Sequence, residues 1–142
     1  MKGYSNLRKG RCSDRSVVYH LTFASLNRVQ TFKDFLKARA VIKALAYCDC
    51  KQWGNTVAFV IMPNHVHWLV QPYSKNISEL VRVVKEYTRK HYGVLWQKSF
   101  YDRGMRSEQE TIETARYIIA NPKRAGLVSH VGQYSHWDCI YL

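Results

Sequence analysis

Two histidines one residue apart, His65 and His67, interrupt an apolar run, FVIMPNHVHWLV, over residues 59–70. Alternate side chains of a strand share a face, so His65, His67, Leu69 and Gln71 stand together while Val66, Trp68 and Val70 take the other side. The two imidazoles would then have Cβ atoms roughly 6–7 Å apart, a separation from which both can converge on one ion. Two surface histidines on a half-exposed strand satisfy the same pattern. A zinc reading adds Cys48 and Cys50 as a soft four-ligand set, although neither pair has zinc-finger spacing. On this stretch alone all three readings stay open.

A second candidate lies in SEQETIETARYIIANP, residues 107–122. At about 100° per residue, Ile112, Ala115 and Ile119 form one apolar stripe. Tyr117 falls on the opposite side with Glu113 and Asn121, and Tyr117 and Asn121 are neighbours at i, i+4. Alone, a tyrosine on a polar helix face is a common surface residue. Beside a histidine pair it suggests more. An ion held by imidazoles and an amide oxygen polarises a phosphodiester, and a tyrosine hydroxyl can attack phosphorus to form a covalent intermediate. A phenol is protonated at neutral pH, so a cation or a proton acceptor would have to help it.

The elements that must position these residues follow from pattern. Residues 17–23 (VVYHLTF) are β-branched and aromatic and read as a strand. A helix is expected from Thr31, with Asp34 completing a capping box, to about residue 47. Residues 57–62 and 65–71 form a hairpin about Pro63-Asn64. Asn76 and Glu79 cap a second helix that reaches about Tyr92. Residues 95–102 are a fourth strand, and Ser107 with Glu110 opens a third helix ending at Asn121, before Pro122. The order β-α-β-β-α-β-α predicts a ferredoxin-like α+β sandwich with an antiparallel sheet and an extra C-terminal helix bearing Tyr117.

The chain has 142 residues and a formal charge of +12, from 22 Lys and Arg against 10 Asp and Glu. That length suits one domain over 1–142, with residues 1–15 as a flexible basic arm. A fold does not need so much positive charge, whereas a polyanion would use it. Nucleic acid is the leading partner and an anionic membrane surface the weaker one, because no basic amphipathic anchor stands out. Arg82, Lys85 and Arg89 make a basic stripe on the second helix, equally readable as a solvated face. No apolar run has the ~18 residues of a membrane span, and the basic N-terminus leads into no signal-peptide core. The four cysteines, Cys12, Cys48, Cys50 and Cys139, are then expected reduced in a cytoplasmic protein.

The sequence also resembles a known family. MPNHVHWLV resembles the histidine-hydrophobic-histidine signature of HUH single-strand nucleases. ARYIIANPKRAGLV resembles the tyrosine helix of REP-associated tyrosine transposases, relatives of the single-tyrosine insertion-sequence transposases. VVYHLTF, VRVVKEYTRKHY, LWQKSFYDRGMRS and YSHW recur in the same order, so the resemblance spans roughly residues 17–137. It implies an HUH-type fold, with His65, His67 and Asn121 as ligands of magnesium or manganese. Tyr117 would be the nucleophile that cleaves single-stranded DNA, keeps the 5′-phosphate and leaves a 3′-hydroxyl. Rejoining reverses that step, and the DNA partner would be a palindromic hairpin with a single-stranded flank. Two imidazoles suit manganese better than magnesium. Arg82, Lys85, Arg89, Arg103, Arg106, Arg124 and the basic arm are candidate DNA contacts on charge and position; Arg124 could equally stabilise the helix end.

Trp68 departs from the family pattern, which has smaller aliphatics there, but it falls on the core face. Any C-terminal DNA-binding extension of relatives is expected to be missing or small. Tyr87 ranks behind Tyr117 as nucleophile, because it lacks an amide four residues later on a polar face and matches no motif. The rival from another class is a non-catalytic nucleic-acid-binding module. A DNA-acting protein would be cytoplasmic and nucleoid-associated.

Overall fold

The strands form one antiparallel sheet: β1 (Tyr19–Ala24), β2 (Gly54–Met62), β3 (His65–Pro72), β4 (Tyr101–Gly104) and β5 (Trp137–Cys139), in spatial order β4-β1-β3-β2-β5. The helices are α1 (Phe35–Cys50), α2 (Ile77–Tyr92), α3 (Glu108–Ile119) and the single turn α4 (Asn121–Arg124). This computed structural model describes residue 14 and residues 16–141. The expected basic arm therefore lies, Asp14 apart, outside the described residues, as does Cys12. With β1 and β3 central, β1-α1-β2-β3-α2-β4 is the split β-α-β arrangement of a ferredoxin-like α+β fold, as the element order predicted.

Strand alternation sorts the sheet into two faces. Leu21, Phe23, Val66, Trp68 and Val70 point into a core with Val41 and Leu45 of α1 and Leu80 and Val84 of α2. Val60, Met62 and Leu69 point the other way and pack against Ala115, Ile118 and Ile119 of α3. Trp68 is fully buried in the first core, its Nε1 donating to Thr56 Oγ1 at 2.9 Å, so the bulky residue leaves the α3 face untouched.

The hairpin, α2 and its reciprocal Asn76–Glu79 capping box form as expected, and α2 ends on Gly93 with φ +68°. Two expectations need correction, and one strand was not expected. Thr31–Lys33 is a 3₁₀ turn, and Asp34 itself caps α1, accepting from the backbone N–H groups of Leu36 and Lys37. A carboxylate directly before the first turn reaches two unsatisfied donors, which a threonine three residues earlier cannot.

The fourth strand starts at Tyr101 and not at 95. Residues 95–100 form a loop that Lys85 staples, its Nζ donating to the carbonyls of Gln97 and Ser99 at 2.8 and 3.2 Å. Finally, β5 had no sequence signal longer than three residues, yet it pairs Trp137 with Val60 and Cys139 with Ala58 and covers the edge of β2. Among the described residues no helix is long and apolar enough to cross a membrane.

Asp34→Ala should cost about 1 kcal/mol of unfolding free energy, and Thr31→Ala should stay within about 0.5 kcal/mol. Urea midpoints of the two variants measure this, and equal losses would restore Thr31 as the helix start.

Candidate active site

The antiparallel register of β1 and β3 sets His67 opposite Thr22 and His65 opposite Ala24. On the α3 face this gathers three imidazoles, one more than the sequence reading named. His65 Nε2 and His67 Nε2 are 3.2 Å apart, and His67 Nδ1 lies 2.9 Å from Nε2 of His20 on β1. Thr22 Oγ1 stands 3.3 Å from the same His67 Nδ1. At the other end His65 Nδ1 meets Asn64 Oδ1 at 2.7 Å.

Proton counting along this chain is informative. The amide oxygen of Asn64 only accepts, so His65 carries its proton on Nδ1 and presents a lone pair at Nε2. With His67 donating Nε2–H to His65 and His20 donating to His67, the chain closes among neutral rings; with His67 donating Nδ1–H to His20 instead, two Nε2 lone pairs face each other and leave room for a cation between them. Two nitrogens about 2.1 Å from one ion, at right angles, are ~3.0 Å apart, close to the observed spacing. The donor pair therefore fits a divalent ion of borderline character.

All three rings are held neutral, as ligation requires. Burial pushes His65 down to about 4, helped by the charge of Arg28. His67 falls to about 3 through burial, then His20, His65 and Arg124. His20 falls to about 4 through burial and Arg103. Arg28 and its neighbour Asn27 both adopt positive φ, 57° and 55°, an uncommon pairing for residues with side chains. Nothing in the sequence marked Arg28. His20 had a weak signal, as a polar residue in the strand VVYHLTF.

Ser107 caps α3 by accepting from Glu110 N–H, but the capping box is half made. The Glu110 carboxylate turns instead to Arg106 N–H and to Arg103 Nη2, both at 2.6 Å. Thr111, Ala115, Ile118 and Ile119 are buried, and Ile112 is half-buried, so the stripe sits slightly off the expected one. Tyr117 is 63% exposed and opens onto a cleft of about 390 Å³ shared with His20, Arg103, Glu110, Glu113 and Thr114. The phenol and the histidine chain thus border one space.

The helix does not run to Asn121. It stops at Ile119, and Asn121 opens α4 with Pro122 beside it. Proline cannot donate an N–H to the preceding turn, while its fixed φ suits the start of a new one. Arg124 then folds back: its guanidinium lies 3.7 Å from the centre of the Tyr117 ring, and its Nη2 donates to Asn121 Oδ1.

The other sequence candidates are dispersed. Arg82 and Arg89 are exposed on α2, against the opposite face of the sheet, where Arg82 approaches Glu86 at 3.9 Å. Lys85 is occupied by backbone carbonyls. Arg103 borders the cleft, whereas Arg106 lines a separate depression with Met105 and Ser107; the two share Glu110. The four-ligand zinc reading is overturned. Cys48 is buried in the α1–α2 core, its thiol pushed up to about 12 chiefly by burial, while Cys50 is exposed and the histidines lie on the other side of the sheet. Among the described residues no three His, Cys, Asp or Glu gather around one point.

Residues 13–121 match the family profile described as "Transposase IS200 like". The chain belongs to the IS200-like transposase family. No curated protein matches it. The fold of this IS200-like transposase is similar to that of a REP-associated tyrosine transposase solved bound to a REP hairpin. That likeness has a TM-score of 0.73 at 21% identity, covering 89% of this chain and 79% of the other. A protein from Deinococcus radiodurans R1 assigned as a transposase is also similar, with a TM-score of 0.53 at 23% identity over 71% of this chain and 87% of the other.

The buried histidines give this transposase a signed pH dependence. Unfolded histidines take up protons near pH ~6.5, the folded rings only near 4 and below, so acidification favours the unfolded chain. Urea midpoints should be flat above about pH 7 and fall from ~6.5 toward ~4.5, above the range of ordinary carboxylates. His136, also lowered by burial, adds to the slope. His20→Gln should flatten the profile; an unchanged profile in that variant would contradict the burial of a neutral imidazole.

Proposed function

We propose that this IS200-like transposase cuts and rejoins single-stranded DNA beside a hairpin, with Tyr117 as nucleophile and a divalent ion held by His65, His67 and Asn121. Residues 1–142 would act as one domain, in the cytoplasm with the nucleoid, where the substrate lies. The observation that carries the reading is the convergence of two neutral imidazole nitrogens to 3.2 Å, joined through His20 to the cleft onto which Tyr117 opens. The family likeness supports DNA as substrate, and the hairpin is taken from the similar REP-associated transposase, which was solved on one.

In this reading His65 and His67 are ligands through Nε2, with the Asn121 amide oxygen as third. Asn64 and His20 hold the tautomers from behind. The ion, manganese or magnesium, would supply Lewis-acid polarisation of the scissile phosphate. Tyr117 Oη attacks phosphorus, a new P–O bond forms, and the bond to the 3′-oxygen breaks. The phenolic proton leaves to water, which the exposed ring meets freely, and the 3′-oxygen takes one up. One phosphoester replaces another, so rejoining runs by the same path in reverse.

Arg103, which borders the cleft while Glu110 holds it, is the nearest phosphate contact, and Arg106, with its side chain 89% exposed on the same Glu110, would reach DNA outside the cleft. Arg82 and Arg89 would contact DNA that wraps to the other face, whereas Lys85 serves the loop it staples. A binding module without chemistry would use the same basic surface. It leaves unexplained why three imidazoles are buried uncharged in a row.

Tyr117→Phe should abolish the covalent protein–DNA adduct on a denaturing gel with a hairpin oligonucleotide carrying a single-stranded flank, while hairpin affinity changes by less than about threefold. An adduct retained in that variant rules Tyr117 out as nucleophile, and no adduct in the wild type with Mn2+ or Mg2+ would favour the binding module. His20→Ala should weaken Mn2+ binding by about tenfold or more.

A further inference from the structure

Arg124 holds two of the groups that the reading above assigns to catalysis, and on that reading we propose that it is a cationic latch. Its guanidinium keeps the Asn121 amide oxygen until a divalent ion displaces it. Asn121 and Arg124 are i, i+3 on the single turn α4, which puts them on one side of it. Nη2 donates to Asn121 Oδ1, the atom that would ligate the ion, and the same guanidinium stacks 3.7 Å over the Tyr117 ring. A planar, permanently charged donor can do both at once, which an ammonium would do poorly.

The charge balance around Arg124 is what makes it a latch and not a brace. Arg103 and Arg106 have Glu110, and Arg82 has Glu86, but among the described residues no carboxylate pairs with Arg124. Its charge is met by a ring face and an amide oxygen. The side chain is exposed, so it can swing into water without opening the core. Ion binding and guanidinium release are therefore coupled, and by reciprocity a phosphate that draws Arg124 away tightens the metal site. Empty of DNA, the protein would bind its ion weakly; with a backbone phosphate in the cleft it would bind the ion well.

The test measures Mn2+ affinity of the DNA-free protein from the paramagnetic resonance signal of the unbound ion. Wild type, Arg124→Met, Arg124→Gln and each with His65→Ala are compared, with folding checked by circular dichroism. R124M should bind Mn2+ about tenfold more tightly, because a charge-assisted hydrogen bond no longer competes. R124Q, neutral but still able to donate, should gain severalfold, and it decides by itself if R124M does not fold. H65A should remove binding in every background. Affinity unchanged or weakened by loss of the charge, while H65A still abolishes binding, overturns the latch alone. Binding that survives H65A overturns the metal-site reading on which it rests.

Discussion

The antiparallel register between β1 and β3 is the constraint on which the site depends. Val66, Trp68 and Val70 must face the α1–α2 core, and a slip of one residue would exchange a buried tryptophan for a histidine. That apolar demand on one face locks the polar arrangement on the other. His65 and His67 are held toward α3, and Thr22 and His20 arrive opposite and diagonal to them. The hydrophobic core thus sets a spacing between ring nitrogens that no local feature of the chain could hold.

Electrostatics then give the site its character. The three imidazoles are neutral because they are buried and because Arg28, Arg103 and Arg124 surround them. On the proposed reading, neutral donors ringed by guanidiniums would attract a polyanion and resist a lone metal ion. The same cations that would receive a phosphodiester are those that hinder the ion, so DNA and ion are expected to help each other in. The overall excess of positive charge does not act uniformly: Lys85 is spent on a loop, Arg103 on Glu110, and the exposed Arg106 is left facing outward.

Proline at 122 has a local role with a long reach. By ending α3 at Ile119 and starting α4, it separates Asn121 from the helix of Tyr117, and Arg124 closes back over both. A continuous helix would have kept Tyr117 and Asn121 in simple i, i+4 register. The break replaces that geometry with one governed by a guanidinium.

How much of this was legible depends on the range of the physics. The alternation of β3, the Asn76–Glu79 cap and the split β-α-β order rest on near-neighbour patterns, and the sequence by itself determined them. Cap details and helix ends were misread by a few residues, because Asp34, Ser107 and Pro122 each had more than one local partner to choose from. What only the tertiary structure decided lies between segments far apart in the chain. His20 meets His67 across 47 residues, Cys48 lies on the wrong side of the sheet for zinc, and β5 finds the edge of β2. Those outcomes follow from strand register and layer packing, which the whole core fixes at once and which no window of sequence contains.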